Sequence, residues 1–377
     1  MHKIPFLKPS VVKLDSYQAY LQEIDSSCIY TNFGPLNNRF ESRIISEIFQ
    51  NVGHCTTVNN CTLGLMLAIN AVKKDGAKYA IMPSFTFSAT AQAAMWCGLE
   101  PYFIDINNDD WSIDNSQLLE TIDKLGPEIA VIVPYATFAN NINLDVYESL
   151  HQKGFPVVID AAPGLGSRLN EIPFAKDFSG ATVFSLHATK GFGIGEGGLV
   201  YSADNEIIET IRQTSNFGFS SPGNAETLGL NAKMSEYAAA IALATLGVFD
   251  QKVARRIEIK KMYLENLESS GLLTKGWRLQ KSYGEIPLQF FSLLLPKPNL
   301  LSEMGDFMEK NGISTRHYFS PSCHQQKCFQ NYNCSDLSVT EDIASRIISL
   351  PLWEQMTPTH IDHIIETILM FDKKISG

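Results

Sequence analysis

The chain has 377 residues, room for two or three domains at about 150 residues each. Its composition, 45% hydrophobic and 19% charged, is that of a globular protein with a sizeable core, which excludes a disordered chain, a collagen-like repeat and a coiled coil. A formal net charge of −10 argues against a nucleic-acid partner, which would need a basic footprint, and requires a locally positive pocket for any anionic ligand.

Residues Met1 to Pro9 carry neither a sustained apolar run nor a small-residue cleavage site, so no secretory signal is expected. No apolar stretch reaches 18 residues, so no membrane-spanning helix is expected either. The seven cysteines (Cys28, Cys55, Cys61, Cys97, Cys323, Cys328 and Cys334) are odd in number and scattered, which reads as reduced thiols in a cytoplasmic protein. Asn60-Cys61-Thr62 and Asn333-Cys334-Ser335 fit the glycosylation pattern, which has no meaning there. Cys323, Cys328, Cys334, His317 and His324 lie close in sequence, but the cysteine spacing is loose for zinc. Loop thiols are the expectation, and no metal.

From about residue 55 helical and strand patterns alternate. A helix is expected over Thr62–Val72 and a strand over Tyr79–Met82, ending at Pro83. A helix over Ala89–Cys97 and a strand over Pro101–Asp105 follow. Further strands read at Ile129–Val133, Val157–Asp160, Thr182–Leu186 and Gly198–Tyr201. These short apolar runs suit strands buried on both faces of a mostly parallel sheet in an α/β fold. Residues 234–268 read as one long helical stretch. A strand-like run, Leu288–Leu295, and helices near 300–310, 339–348 and 358–371 complete a smaller α+β unit. The division expected is 1–249, with an N-terminal arm, and 250–377.

Ligands of such sheets bind beyond the carboxyl ends of the strands. Asp160 ends the apolar run Val157-Val158-Ile159. It is either the cap of a following helix or a desolvated carboxylate that needs a positive partner. Lys190 follows another buried strand and precedes glycines. It is a surface lysine or a desolvated amine suited to Schiff-base chemistry. Gly193 to Gly198 fit G-x-G-x-x-G, but a strand follows where a dinucleotide site needs a helix. Neither a Walker A nor a G-x-S-x-G pattern occurs. Arg255, Arg256, Lys260 and Lys261 read as a solvated helix face.

Several segments, in order, resemble the DegT/DnrJ/EryC1/StrS family of pyridoxal-phosphate-dependent nucleotide-sugar aminotransferases. They are Tyr30 to Pro35, Val58 to Thr62, Pro83 to Thr90, Asp160-Ala161-Ala162, Ser185 to Lys190 and Glu196-Gly197-Gly198. Asn216-Phe217-Gly218, Gly229 to Glu236 and Leu350-Pro351-Leu352 continue the series. The resemblance covers nearly the whole chain and implies the fold type I architecture of aspartate aminotransferase. It implies that Lys190 is the Schiff-base lysine and that Asp160 faces the pyridine nitrogen. Phe87 would stack on the ring. Ser185, Thr62 and the amides of Cys61 and Leu63 would hold the phosphate at a helix N-terminus. Asn231 would reach the phosphate from the partner of a homodimer. Asn32, His187, Lys233, Arg316 and His324 are the candidate substrate contacts.

Three positions depart from the family pattern. Cys61 and Leu63 stand where the family has Gly and a small or polar residue, and Pro163 stands where it has Gln or His. Proline cannot donate to the ring oxygen, so His187 or a water would take that place, or the contact is absent. The activity implied moves an amino group, from L-glutamate, to a keto-sugar nucleotide. The stretch from Ser185 to Gly198 resembles the branch acting on dTDP-4-keto-6-deoxyhexoses, which makes amino sugars for O-antigens and related lipopolysaccharide glycans. A 3-keto or a UDP- or GDP-linked acceptor stays open. In the family's dehydrases His replaces the lysine, so Lys190 argues against sugar dehydration.

Overall fold

The structure is a computed structural model, and it describes residues 3–376. The strands alternate their side chains between two cores, as a period of two dictates. Ala80, Met82, Val131, Val158, Val183 and Val200 enter one core. Ile81, Ile132, Ile159, Phe184, Leu199 and Tyr201 enter the other. A strand apolar at every position is therefore a strand covered by helices on both faces.

In chain order the first elements are α1 (Gln18–Ser27), α2 (Pro35–Arg43), β1 (His54–Val58), α3 (Cys61–Val72), β2 (Tyr79–Pro83) and α4 (Ser88–Trp96). Then come β3 (Glu100–Ile104), α5 (Asn115–Leu125), β4 (Ile129–Ile132), α6 (Leu144–Gln152) and β5 (Val158–Asp160). A small ribbon, β6 (Arg168–Leu169) and β7 (Ile172–Pro173), precedes β8 (Ala181–Ser185), β9 (Gly198–Ser202) and α7 (Asn205–Thr214). β2 pairs in parallel with β3 and β4, and β5 with β8. Parallel bridges from Ile132 to Val157 and from Tyr135 to Asp160 join the two groups. β9 runs antiparallel to both β8 and β1. The order is thus β3-β2-β4-β5-β8-β9-β1, with β9 alone reversed.

After a second ribbon, β10 (Phe219–Ser221) and β11 (Asn224–Ala225), come α8 (Glu236–Leu246) and α9 (Phe249–Ser270). The last elements are β12 (Phe291–Leu294), α10 (Leu301–Lys310), α11 (Ser338–Arg346), β13 (Ile347–Leu350) and α12 (Pro358–Ser376). α9, α10 and α12 pack on the antiparallel pair β12–β13 around Tyr263, Trp277, Leu293, Met304, Ile348 and Ile364. Ile4 belongs to this core and bridges to Ile313, so the N-terminal arm crosses to the C-terminal half.

Local differences from the sequence reading have local causes. The stretch 234–268 is two helices, because the chain leaves helical geometry at Val248 (φ −122, ψ 5), just after Gly247. Only residues 291–294 of the run 288–295 pair as a strand. The helix expected to reach 348 stops at Arg346, where Ile347–Leu350 pairs with Phe291–Leu294 and the ladder takes the backbone donors. The basic face of α9 is not solvated throughout. Arg256 is 4% exposed; it pairs with Glu354 at 2.9 Å and donates to the Leu288 carbonyl at 2.7 Å. Arg255 donates to the Glu354 carbonyl at 3.0 Å and also reaches the Met356 carbonyl. Lys260 is partly buried and Lys261 stays exposed. A buried guanidinium is tolerable only when paired in this way.

Candidate active site

β1, β2, β5 and β8 all end at one edge of the sheet, and the chain after each turns into the same space. That space is a cavity of about 720 Å³. Its lining includes Cys61, Thr62, Leu63, Phe87, Asp160, Pro163, Ser185, His187 and Lys190. Nine positions singled out in the sequence therefore meet in three dimensions.

Asp160 ends β5 and is 2% exposed. No helix follows it, so it is not a helix cap. Its carboxylate is held by neutral donors, the Thr90 hydroxyl at 2.6 Å and the Ala162 amide at 3.0 Å. Burial raises its pKa; the two hydrogen bonds and the charge of Lys190 oppose the rise. Lys190 shows the complementary shift. Burial lowers its pKa, while the neighbouring Cys61 and Asp160 work the other way. Each group is desolvated and each favours the other's charged form. Lys190 Nζ donates to Gln289 Oε1 at 3.0 Å.

α3 begins at the floor of this cavity. Asn60, in extended geometry, is its cap, and Asn60 Oδ1 accepts from the Leu63 amide at 2.9 Å. The amide expected from Leu63 is thus already taken, and the free donors of the first turn are those of Cys61 and Thr62. β9 comes close against this turn. A Cβ on Gly198 would lie 2.8 Å from the Cys61 nitrogen and from the Asn60 carbonyl carbon, so only glycine fits. Burial pushes the Cys61 thiol well up, which keeps it a neutral side chain beside these amides. Ser185 is buried, and its hydroxyl accepts from the His187 amide at 3.3 Å.

This donor set fits pyridoxal phosphate. Asp160 offers a buried carboxylate to a protonated ring nitrogen. Cys61, Thr62 and Ser185 offer neutral donors and a helix N-terminus to a phosphate. Phe87 is 55% exposed at the cavity and has an open face for a ring.

Other candidates lie elsewhere in this chain. Asn231 is exposed and bridges to Asn216. Lys233 is buried; it donates to Asn216 Oδ1 at 2.7 Å and lies over the Phe217 ring, and burial lowers its pKa. Asn32 is exposed with φ +62. Arg316 is exposed above the Phe6 ring. His324 sits between Ser84 Oγ (2.7 Å) and Glu341 Oε1 (3.1 Å), outside the cavity lining. Cys323 is buried against the Thr86 carbonyl, whereas Cys328 and Cys334 are exposed, so the cysteine cluster disperses.

Sequence reasoning missed the aromatic wall of Tyr135, Phe138, Phe290, Tyr318 and Phe319, and also Thr90 and Gln289. Thr90 is legible as a hydroxyl in the first turn of the helix after β2. The wall is not, since it comes from separate segments without a shared pattern.

Residues 14–369 match the model of the DegT/DnrJ/EryC1/StrS aminotransferase family. A solved protein of Bacillus cereus ATCC 10987, provisionally named a PLP-dependent aminotransferase, is 50% identical with a TM-score of 0.95, over 97% of this chain and 99% of its own. DesI, solved in the presence of its TDP-sugar product, is 28% identical with a TM-score of 0.87, over 98% of this chain and 93% of its own. Protein Rv3402c of Mycobacterium tuberculosis is 32% identical over 97% of this chain and 89% of its own length. Relatives at 24–27% identity have names that differ in the sugar carrier. They are dTDP-4-amino-4,6-dideoxy-D-glucose transaminase of Shigella dysenteriae, a UDP-N-acetyl-3-dehydro-α-D-glucosamine 3-aminotransferase of Acidithiobacillus ferrooxidans and GDP-perosamine synthase of Escherichia coli O157:H7.

Proposed function

Because the chain belongs to the DegT/DnrJ/EryC1/StrS aminotransferase family and is a pyridoxal-phosphate-dependent sugar-nucleotide aminotransferase, we propose that it moves the amino group of L-glutamate to a dTDP-linked 4-keto-6-deoxyhexose. The product would be an amino sugar for a surface polysaccharide. The observation that carries the reading is the single cavity in which a buried carboxylate, a desolvated amine and an open helix N-terminus converge. The dTDP acceptor draws support from the Ser185–Gly198 stretch and from relatives named for dTDP and TDP sugars. The reading includes a cytoplasmic location, units 1–249 and 250–377, and a homodimer in which Asn231 serves the partner's cavity. No helix is long and apolar enough to cross a membrane among the described residues.

Pyridoxal phosphate supplies the electron sink for proton removal from a carbon bearing nitrogen. Asp160 holds the proton on the ring nitrogen, since its charged form is stable only with a cation beside it. The Cys61 and Thr62 amides and Ser185 bind the phosphate. Phe87 covers one ring face and keeps water from it. Lys190 Nζ, held low in pKa by burial, takes the proton from the donor's α-carbon and later delivers one to the acceptor's former keto carbon. Lys233 and Arg316 meet the acceptor's phosphates when two chains assemble.

The test is spectroscopic and then kinetic. Wild type with pyridoxal phosphate should show a visible band that Lys190→Ala loses. With glutamate it should form 2-oxoglutarate fastest on dTDP-4-keto-6-deoxyhexose in a panel that includes 3-keto, UDP- and GDP-linked sugars. Absence of the band, or turnover with amino-acid acceptors alone, overturns the reading. Mixed Lys190→Ala and Asn231→Ala chains should regain activity that neither has alone, because one site of each mixed dimer is then intact.

A further inference from the structure

The hydrogen bonds around Lys190 form a directed chain. Lys190 Nζ donates to Gln289 Oε1 at 3.0 Å, and Gln289 Nε2 donates to Thr189 Oγ1 at 3.1 Å. Thr189 Oγ1 lies 2.9 Å from His187 Nδ1, where the chain ends; Glu196 Oε1, at 3.7 Å from His187 Nε2, is beyond hydrogen-bond distance. Its polarity follows from chemistry. A protonated lysine only donates, so the Gln289 amide must turn its oxygen to Lys190 and its NH2 to Thr189. The Thr189 amide also points at His187 Nδ1, at 3.3 Å. Nδ1 is therefore the acceptor for Thr189, and the neutral ring keeps its proton on Nε2, toward Glu196.

The chain also spans the molecule. Lys190 follows β8 of the large sheet, whereas Gln289 stands 99 positions away, just before β12. The residue before it, Leu288, belongs to the core around β12 and β13, and its carbonyl is clamped by the buried Arg256–Glu354 pair. Lys190, Gln289, Thr189, His187 and Glu196 all line the cavity.

We propose that Gln289 is a positioning residue for Lys190: its amide, anchored by Thr189 and through it by His187, aims the reactive amine into the cavity from the core around β12 and β13. The proposal rests on Lys190 being the reactive amine of the function above. The same geometry explains how a lysine on a glycine-flanked loop keeps one direction.

The test reads the amine itself. The full chain, freed of pyridoxal phosphate, is labelled with trace acetic anhydride across a pH series, and the Lys190 peptide is quantified by mass spectrometry. Gln289→Leu removes the acceptor for the charged amine, so the labelling midpoint should fall by about 1 pH unit. Gln289→Glu puts a carboxylate there and should raise it. Thr189→Val frees the amide and should shift the midpoint in the direction of the Leu variant, by less. Asp160 and Cys61, the other titratable groups facing Lys190, are untouched by all three changes. Unmoved midpoints in Gln289→Leu and Gln289→Glu, with wild-type unfolding temperatures, overturn the proposal. Should Gln289→Leu not fold, the Glu variant decides alone. Wild type without a visible band on adding pyridoxal phosphate fails the function above; a normal band with unmoved midpoints fails only the positioning role.

Discussion

At the floor of the cavity the chemical groups come off the ends of strands and the start of a helix. Asp160 ends β5, Ser185 ends β8, and Cys61 and Thr62 open α3. At the wall they come from unconnected places: Leu7 on the arm, Phe138 after β4, Gln289 and Phe290 before β12, Tyr318 and Phe319 after α10. A floor on strand ends is fixed by the sheet ladder and can hold a carboxylate and an amine both desolvated. A wall of aromatic side chains offers shape and apolar surface, with little charge of its own. The difference predicts a division of labour. Floor residues, together with Gln289 through its bond to Lys190, should act in both halves of the reaction, and the aromatic wall and rim residues should act on one substrate.

The largest expected effect is therefore at Asp160. Asp160→Asn keeps the volume and removes the charge, and both the donor and the acceptor half-reaction should slow on the order of 100-fold or more. Stopped-flow measurement of the two halves checks this. Loss confined to one half would break the comparison.

Next is Lys233. It is buried over Phe217 with its amine on Asn216, outside the cavity of its own chain. If assembly brings it to the acceptor, Lys233→Gln should raise the acceptor KM about tenfold, the scale of one charged hydrogen bond. The glutamate half-reaction should stay at wild-type rate. Equal slowing of both halves would place Lys233 with the floor.

A finer separation comes from Thr90. Its hydroxyl on Asp160 favours the charged carboxylate and holds down a pKa that burial raises. Thr90→Val removes that hold, so Asp160 takes up its proton at higher pH than in wild type. The acid limb of pyridoxal-phosphate capture should then move to higher pH, by about 1 unit. An unmoved limb would mean that Thr90 serves packing alone.

The same contrast governs what was legible in the sequence. The floor could be read because a strand buried on both faces is a continuous apolar run, and the residue after it is a site by topology. Asp160 and Lys190 stood out for that reason. The wall could not be read, since Gln289 meets Lys190 across 99 positions and no local period records the meeting. Arg256 misled for a related reason. Arg255 and Arg256 look like surface charge, and only the fold supplies Glu354 and the Leu288 carbonyl that bury one of them. Local competition hid the rest. The Leu63 amide looks free until Asn60 caps it, and Ile347 and Ile348 read as the end of a helix until β12 offers a ladder.

The smallest effect is the most diagnostic of the floor. Asn60→Ala deletes the cap of α3 and should cost about 1 kcal/mol in the chain without pyridoxal phosphate. The same change releases the Leu63 amide, one residue beyond the two free donors already in the first turn. A bound phosphate can take that third donor and restore part of what the cap supplied. The loaded protein should then lose less stability than the unloaded one. Denaturant unfolding of wild type and variant, each with and without saturating pyridoxal phosphate, measures the difference. A smaller loss in the loaded state would put the phosphate on this helix end through its backbone amides. Equal losses would mean that Leu63 points away from the phosphate, and that Cys61, Thr62 and Ser185 alone make the cup.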